Sequence, residues 1–282
     1  MDQRIINLYD EYTHKPLPRR VFIERLAKLT GGMAAAMAVL PLIETSCAAG
    51  AKTAGDDLHT EYVTWPGVQG EMKAYLARPK KQKKYAAVVV IHENRGLNAH
   101  IEDVTRRAAK SGYLAIAPNA LAPLGGTPAN EDEARQLFTT LKQEDSQQNF
   151  VRAFDFLSKR EDCNGSYGCV GFCWGGAMSN YLAVNVPNLK AAVAFYGRQP
   201  DAADVPKIKA AVQLHYGGLD ERVNAGMAAY EAQLKAAGVK YEQYVYEGAQ
   251  HAFHNDTSAA RYNEAAAKLA WGRTVDFFGR YL

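Results

Sequence analysis

One short segment, CVGFCWGG at residues 169–176, constrains the fold of this chain more than any other. It is typical of a strand that ends in Gly-x-Cys-x-Gly and runs directly into a helix. Glycine is needed two positions before and after the central residue, because the tight turn strains that residue and brings neighbouring backbone close. The first amides of the helix point at the same place and stabilise a thiolate or an oxyanion. The segment predicts that Cys173 is a nucleophile; the alternative is a buried structural cysteine beside packing glycines.

Short apolar runs, separated by helical segments, surround this motif. Residues 86–91 and 113–117 are continuously apolar, the form that parallel strands take when both faces of a sheet are covered. Residues 61–65 and 70–77 alternate in polarity on either side of Pro66-Gly67, which predicts an antiparallel pair at the edge of the sheet. Further strands are predicted at 191–196, 211–216 and 241–246, and helices at 101–110, 131–142, 149–159, 174–186, 225–237 and 258–281.

This alternation predicts an α/β fold, a mostly parallel sheet covered by helices on both faces. The chain has 282 residues and 48% hydrophobic content, enough to bury the core of one large domain. We expect that domain at residues 52–282, preceded by an N-terminal extension at residues 1–51.

The N-terminal extension has the order of features found in a twin-arginine export signal. Pro-Arg-Arg-Val-Phe-Ile at 18–23 precedes an apolar stretch at 31–43, and small residues at 47–51 offer a cleavage site. The apolar stretch is too short for a transmembrane helix, and Glu44 makes Cys47 a poor lipid acceptor. The sequence therefore predicts a periplasmic or secreted protein. The alternative is a retained helical extension that packs on the domain or on a partner subunit, in a cytoplasmic protein.

Charge and cysteine content narrow the classes of partner. The 33 basic and 30 acidic residues leave a net charge of only +3, without the basic footprint of a nucleic-acid-binding protein. Four irregularly spaced cysteines do not form a disulfide framework, and no paired Cys-x-x-Cys sets predict zinc. We expect a small-molecule ligand, no metal, no cofactor and no transmembrane span in the mature domain. A homo-oligomer is one of the oligomeric states left open.

Two further strand ends supply the groups that a cysteine nucleophile needs. In sheets of this kind functional groups collect at the carboxyl ends of the strands. Asp220 follows the strand predicted at 211–216, and His251 follows the strand at 241–246. The chain order of nucleophile, acid and histidine is that of the α/β-hydrolase arrangement. His251 is expected to take the thiol proton while Asp220 holds its tautomer; the alternative is a turn aspartate and a structural histidine.

The segment HENRG at 92–96 ends the first long buried strand. The backbone amide of Asn94 is expected to complete an oxyanion hole with that of Trp174. Glu93 is an unusual residue at such a position. A carboxylate here is expected to keep the resting thiol protonated and so to protect it from oxidation. The alternative is a salt bridge from Glu93 to Arg95 or to another cation.

These residues resemble the dienelactone hydrolase family, the carboxymethylenebutenolidases of the α/β-hydrolase superfamily, over residues 61–282. The carriers are Glu93, the Gly-Phe-Cys-Trp-Gly-Gly run at 171–176, Phe-Tyr-Gly at 195–197, Gly218-x-Asp220, and His-Ala-Phe at 251–253. The resemblance implies a Cys173–His251–Asp220 triad, a thiol regulated by Glu93, and metal-free hydrolysis of a lactone ester. The N-terminal extension and residues 93–96 and 254–256 are similar to an exported branch of the family.

The chain departs from the family at one substrate-binding position. Where the family has an arginine four residues after the catalytic histidine, this chain has Asn255. Arg95 and Arg198 are candidate replacements, because a guanidinium binds a carboxylate through two hydrogen bonds; a surface ion pair is the alternative for each. Tyr196 and Phe253 complete the predicted substrate-binding residues.

Two other interpretations remain open from the residues alone. A glutaminase-like or chaperone-like fold with a cysteine elbow often has histidine after the cysteine, whereas Trp174 stands here. A non-catalytic thiol sensor or small-molecule binding protein would pair Cys173 with Cys163 or Cys169. Extended chain between Cys169 and Cys173 argues against that second pairing.

Overall fold

The computed structural model describes residues 1–15, 17–44 and 53–282. Its centre is an eight-stranded sheet in the order β1-β2-β4-β3-β5-β6-β7-β8. Strands β3 to β8 run parallel, and β1 and β2 add an antiparallel edge. The strands are β1 (Leu58–Pro66), β2 (Glu71–Pro79), β3 (Tyr85–Ile91), β4 (Leu114–Pro118), β5 (Cys163–Phe172), β6 (Leu189–Phe195), β7 (Ala211–Gly217) and β8 (Tyr241–Tyr246).

Helices cover both faces of this sheet. The helices are α1 (Gln3–His14), α2 (Arg19–Thr30), α3 (Met33–Glu44), α4 (Ala99–Lys110), α5 (Glu131–Phe138), α6 (Gln143–Ser158), α7 (Trp174–Asn185), α8 (Glu221–Asn224), α9 (Met227–Ala236) and α10 (Glu264–Tyr281). One apolar core lies between the sheet and α6, α7 and α9, and a second lies between the sheet and α4 and α10. The predicted fold class is confirmed: an α/β-hydrolase fold with a mostly parallel sheet between two helical layers.

Several predicted helices begin or end at other residues in the structure. The helix expected at 131–142 ends at Phe138, and α6 starts at Gln143, six residues before the helix expected at 149–159. The last helix begins at Glu264 rather than at 258, because the Asn263 side chain accepts a hydrogen bond from the amide of Ala266 and caps it there. Capping is a local interaction that apolar periodicity does not reveal.

The turn between β5 and α7 has the strained geometry that its glycines predict. Cys173 has φ 56° and ψ −112°, and residues other than glycine rarely adopt such a positive φ. A Cβ on Gly171 would lie 1.8 Å from the carbonyl oxygen of Gly175. A Cβ on Gly175 would lie 2.4 Å from the carbonyl oxygen of Ile91, on the neighbouring strand β3. Both positions therefore need glycine for close backbone approach, and Cys173 is held at the apex.

The N-terminal helices α1, α2 and α3 share an apolar cluster of their own. Arg19 of α2 forms an ion pair with Glu44 of α3 at 2.7 Å, and a second ion pair, with Asp132 of α5 at 2.6 Å, joins these helices to the rest of the chain. The side chain of Asn94 donates to the carbonyl of Thr13 at 2.6 Å. The small residues at 47–51 and the boundary predicted at 51/52 lie outside the described residues. The boundary between the N-terminal extension and the domain therefore stays a prediction.

Within the described residues, no single helix is both long and apolar enough to span a bilayer. Helices α2 and α3 together have the length and composition of a span, but the chain bends by 110° between them.

The elbow geometry predicts a stability difference between two glycines. We expect Gly171→Ala to lower the free energy of unfolding by about 3 kcal/mol, because the new methyl group meets rigid backbone. Gly272→Ala in α10 is the matched control, because nothing lies within 4 Å of the position that its new methyl group would take. That control is expected to raise stability by about 0.5–1 kcal/mol. Urea unfolding of both variants measures the difference, and equal midpoints would contradict the predicted clash.

Candidate active site

Cys173 lines a cavity and only 8% of it is exposed. Its backbone amide donates to the carbonyl of Phe195 at 3.0 Å, which ties the elbow to β6. Its Sγ lies 3.1 Å from Nε2 of His14, the last residue of α1. The sequence predicted the position of the thiol, but not that an imidazole from the N-terminal helix would be its hydrogen-bond partner.

His251 and Asp220 form the pair that the chain order predicted. Asp220 follows β7 and accepts from the amide of Val223, and its Oδ2 lies 2.5 Å from Nδ1 of His251. Both side chains are buried. Nε2 of His251 is buried and, within the described part of the chain, has no hydrogen-bond partner. The structure thus brings His251 close to Cys173 without a direct hydrogen bond between them.

The described ligand atoms of His14, Cys173 and His251 lie within 4.8 Å of one another. Two imidazole nitrogens and one thiolate are donors that zinc accepts. Nε2 of His14 and Sγ of Cys173 are 3.1 Å apart, however, which is the distance of a direct hydrogen bond. No local motif predicted this set, because the three residues come from distant parts of the chain.

Glu93 lies after β3 among hydrogen-bond donors rather than in an ion pair with Arg95. The hydroxyl of Tyr196 donates to its Oε1 at 3.3 Å, and the Asn255 amide donates to its Oε2 at 2.9 Å. Burial by itself raises the pKa of this carboxyl, but the charge of Arg261, with smaller contributions from other cations and Asn255, holds the pKa below its ordinary value. Glu93 is therefore ionised at neutral pH.

Arg95 points away from the main cavity. It pairs with Glu131 at 3.3 Å and donates to the hydroxyl of Tyr9 at 3.2 Å. It lines a neighbouring cleft together with Glu93 and Asn255. Of the two arginines that the sequence singled out, the structure places Arg198 on the main cavity and Arg95 beside Glu93.

The two predicted oxyanion-hole residues lie at the ends of neighbouring strands. Asn94 follows β3 and Trp174 is the first residue of α7, directly after β5, and β3 pairs with β5. Both residues line the cavity that contains Cys173. The indole of Trp174 stacks on the ring of His92, with centroids 5.4 Å apart. This contact holds the start of α7 against the end of β3.

The main cavity has a volume of about 550 Å³, the size of a small-molecule site. Its lining combines four cations with an aromatic wall. None of the described residues that line it is Asp or Glu. The cations are Lys15, Arg135, Arg198 and Arg222, and the aromatic side chains are Phe138, Trp174, Tyr181 and Tyr196.

The remaining predicted residues support this cavity or lie beside it. Phe253 is fully buried and packs against Tyr196, with ring centroids 5.4 Å apart, so it shapes the site from behind. Cys163 and Cys169 are free, buried thiols, as is Cys173. Burial raises the pKa of Cys169 to about 12, which makes that thiol unreactive. The disulfide pairing of the thiol-sensor alternative is therefore not present in this structure.

His14, Lys15, Arg135 and Arg222 are site residues that sequence reasoning missed. The one local signal is the spacing of Asp10 and His14, which places a carboxylate beside an imidazole on one face of a helix. Nothing in that spacing says which part of the domain the helix end will contact.

Comparison with known proteins agrees with this arrangement. The model of the dienelactone hydrolase family matches residues 72–282. A Salmonella typhimurium protein named "Putative carboxymethylenebutenolidase" is 34% identical over 232 residues, covering 77% of this chain and 85% of its own. A protein of the same name from Saccharolobus solfataricus is 31% identical, covering 74% and 94%. The crystal structure titled "Putative Dienelactone Hydrolase" from Klebsiella pneumoniae superposes with a TM-score of 0.71 at 29% identity, covering 79% of this chain and 99% of that one.

The family match contains the elbow at Cys173, the Asp220–His251 pair and Glu93, while His14 lies before its first residue. The fold, the strained elbow and the sequence similarity lead to the same assignment. The chain belongs to the dienelactone hydrolase family, and it is a carboxylic ester hydrolase with the α/β-hydrolase fold.

Proposed function

We propose that this chain hydrolyses small esters or lactones, in the manner of a carboxymethylenebutenolidase, with Cys173 as nucleophile. The observation that carries the proposal is the strained, buried Cys173 on the same cavity as His251, which Asp220 holds at 2.5 Å. A thiolate at an elbow, with a base oriented by a carboxylate, is the arrangement used for covalent acyl transfer.

The proposed reaction runs in two halves. The thiolate of Cys173 attacks the ester carbonyl, and the backbone amides of Asn94 and Trp174 stabilise the oxyanion that forms. The carbon–oxygen bond of the ester breaks, the leaving oxygen takes up the proton that the thiol has given up, and a thioester remains on the enzyme. His251 then takes a proton from water, the hydroxide attacks the thioester, and the thiolate leaves and takes that proton back from His251. No step requires a metal ion.

The cavity supports a substrate that combines negative charge with an apolar body. Arg198 is the best placed carboxylate ligand, because its side chain is exposed on the cavity and no ion-pair partner for it occurs among the described residues. Arg222, by contrast, pairs with Asp10 at 3.1 Å. The aromatic wall suits a flat, unsaturated ring. We therefore propose carboxylate-bearing esters and lactones as the substrate class, with a dienelactone as the first to test.

Removing the nucleophile tests the mechanism directly. We expect Cys173→Ala to abolish ester and lactone hydrolysis, because the thiol is the only attacking group in the proposal. Thermal unfolding of this variant should match that of the native chain, which shows that the fold is intact. His251→Ala should lower kcat by about 10²–10⁴-fold. Initial rates on aryl esters and lactones, with and without a carboxylate, measure both effects. Undiminished turnover by Cys173→Ala, or no turnover by the native chain on any member of the panel, would overturn the proposal.

Substrate charge gives a second prediction. Arg198→Ala is expected to raise KM for carboxylate-bearing esters by about 10- to 100-fold, because a charged hydrogen bond is lost. Uncharged esters of the same shape should be unaffected. The control is Arg280→Ala, which removes an α10 arginine that pairs with Glu242 at the surface. Equal effects of Arg198→Ala on the two ester types would contradict the assigned role.

For Glu93 we propose that its carboxylate holds the resting thiol protonated until substrate enters. The two residues line one small cavity together with His251. A negative charge near a thiolate raises the thiol pKa, so losing that charge favours the thiolate.

Glu93→Gln is therefore expected to move the pH profile of Cys173 alkylation to lower pH. Iodoacetamide labelling, followed by peptide mass analysis, gives the profile. Glu144→Gln, an exposed carboxylate on α6, is the control. Superimposable profiles for Glu93→Gln and the native chain would leave Glu93 with a purely structural role.

For the destination of the chain we propose export to the periplasm or the cell exterior. The Arg19-Arg20 pair ahead of the apolar helix α3 supports a twin-arginine route. A chain that keeps residues 1–51 is expected in the cytoplasm instead. The mass of the protein recovered from a periplasmic fraction distinguishes the two, because cleavage near residues 47–51 removes α1, α2 and α3.

A further inference from the structure

Helix α1 carries a second imidazole into the active site. His14 is the last residue of this helix, and only 13% of its side chain is exposed. Its Nε2 lies 3.1 Å from Sγ of Cys173. This distance is shorter than the roughly 3.5 Å that tetrahedral bonding would place between nitrogen and sulfur ligands of one zinc ion. The contact is therefore a direct hydrogen bond between imidazole and thiol.

His14 is oriented by Asp10, whose backbone carbonyl accepts the N–H of the imidazole and whose carboxylate lies nearby. Its Nδ1 lies 2.8 Å from the backbone carbonyl of Asp10 and 3.1 Å from Oδ1 of the same residue. With Nδ1–H donated to Asp10, Nε2 of the neutral ring is an acceptor for the proton of the thiol. Arg222 in turn donates to Oδ2 of Asp10 at 3.1 Å. A carboxylate thus lies beside Nδ1 of His14 as one lies beside Nδ1 of His251, but the N–H of His14 is donated to the backbone carbonyl of Asp10, whereas His251 bonds the Asp220 carboxylate itself.

The charges around His14 make its imidazole a stronger base, ready to accept the proton of the thiol. Burial by itself lowers the pKa of His14, but the charge of the Cys173 thiolate and the hydrogen bond to Asp10 raise it above its ordinary value. Despite its burial, the pKa of Asp10 is held well below its usual range by the hydrogen bond from His14 and by nearby cations. Asp10 of α1 contacts His14 directly. The other titratable and charged groups that line the two cavities containing His14 are Lys15 after α1, Glu93 and Arg95 after β3, Arg135 of α5, Cys173 at the elbow, Tyr181 of α7, Tyr196 and Arg198 after β6, Arg222 of α8, His251 after β8, and Arg261 before α10.

The end of α1 forms a wall of the cavity and does not fill it. Thr13, His14 and Lys15 line the same 550 Å³ space as Cys173. Two hydrogen bonds fix the end of the helix to the domain: Asn94 donates to the carbonyl of Thr13 at 2.6 Å, and the hydroxyl of Tyr12 donates to Asp132 at 2.9 Å. A substrate therefore has room beside the sulfur while His14 stays in place.

We propose that His14 is a second catalytic histidine of this active site, serving the acylation half of the reaction. The S–H bond of Cys173 breaks, its proton moves to Nε2 of His14, and the electron pair stays on sulfur. After the thiolate has attacked and the ester carbon–oxygen bond has broken, the leaving oxygen takes that proton back from His14. His251 is left to activate the water of deacylation. The inference rests on the proposed function and holds for the chain that retains α1.

The first test measures how readily the thiolate forms. Alkylation of Cys173 by iodoacetamide is followed against pH in the full-length chain after treatment with EDTA, with peptide mapping to separate Cys163 and Cys169. His14→Gln is expected to move the midpoint to higher pH by about one unit or more, because a cation beside the thiolate is lost. His59→Gln, at a half-exposed histidine on β1, is the control. Coincident midpoints for His14→Gln and the native chain overturn the proposal.

The second test concerns the return of the proton. His14→Gln should lower kcat/KM for an alkyl ester by at least about 100-fold. The loss should be smaller for the matching nitrophenyl ester, whose leaving oxygen needs no proton. Equal losses on the two esters overturn the role of His14 as the acid. Thermal unfolding of both histidine variants checks that they fold.

A third measurement leaves His14 in place. In Cys173→Ala, the imidazole of His14, followed by NMR, should titrate at lower pH than in the native chain, because its anionic partner is gone. An unchanged titration overturns the transfer of the proton from sulfur to His14. Failure of this inference is separable from failure of the proposed function: an active Cys173→Ala refutes the function, whereas an inactive Cys173→Ala with an unaffected His14→Gln refutes only the role of His14.

Discussion

The strained backbone of Cys173 is the constraint on which the rest of the site depends. A positive φ at a cysteine persists only where surrounding structure enforces it. Here Gly175 lies against the end of β3, and a Cβ on Gly176 would lie 2.6 Å from the carbonyl of Phe195 on β6. The elbow is therefore clamped between the two strands that flank β5. These contacts fix the position of the Cys173 sulfur on the wall of the cavity, where the neighbouring histidines can reach it.

Around that sulfur, buried charges are consistently paired. Asp220 holds His251, Asp10 holds His14, and Glu93 accepts from Tyr196 and an amide. Unpaired buried ions would be costly, so these pairings explain how a small site tolerates three carboxylates close to two histidines. The open cavity carries the opposite balance, with cations and no lining carboxylate among the described residues. Negative charge is kept behind the reacting groups, and positive charge faces the substrate.

The N-terminal helices connect the question of destination to the question of mechanism. Arg19, part of the arginine pair that supports the export proposal, forms an ion pair with Asp132 of the domain. The same extension positions His14 on the nucleophile. Cleavage near residues 47–51 would remove that imidazole and leave His251 as the only histidine on the cavity among the described residues. The fate of the N-terminus thus decides which groups move protons in the mature enzyme.

Sequence by itself determined the fold class and the positions of Cys173, Asp220, His251 and Glu93 along the chain. Each follows a strand, and in a parallel sheet the strand ends converge on one edge, so local pattern was enough. Only the tertiary structure decided that His14 contacts the sulfur, and that Arg198 rather than Arg95 faces the cavity. These outcomes depend on how α1 packs and on which way long side chains point. Both are set by contacts between residues distant in sequence, which no local periodicity or spacing encodes.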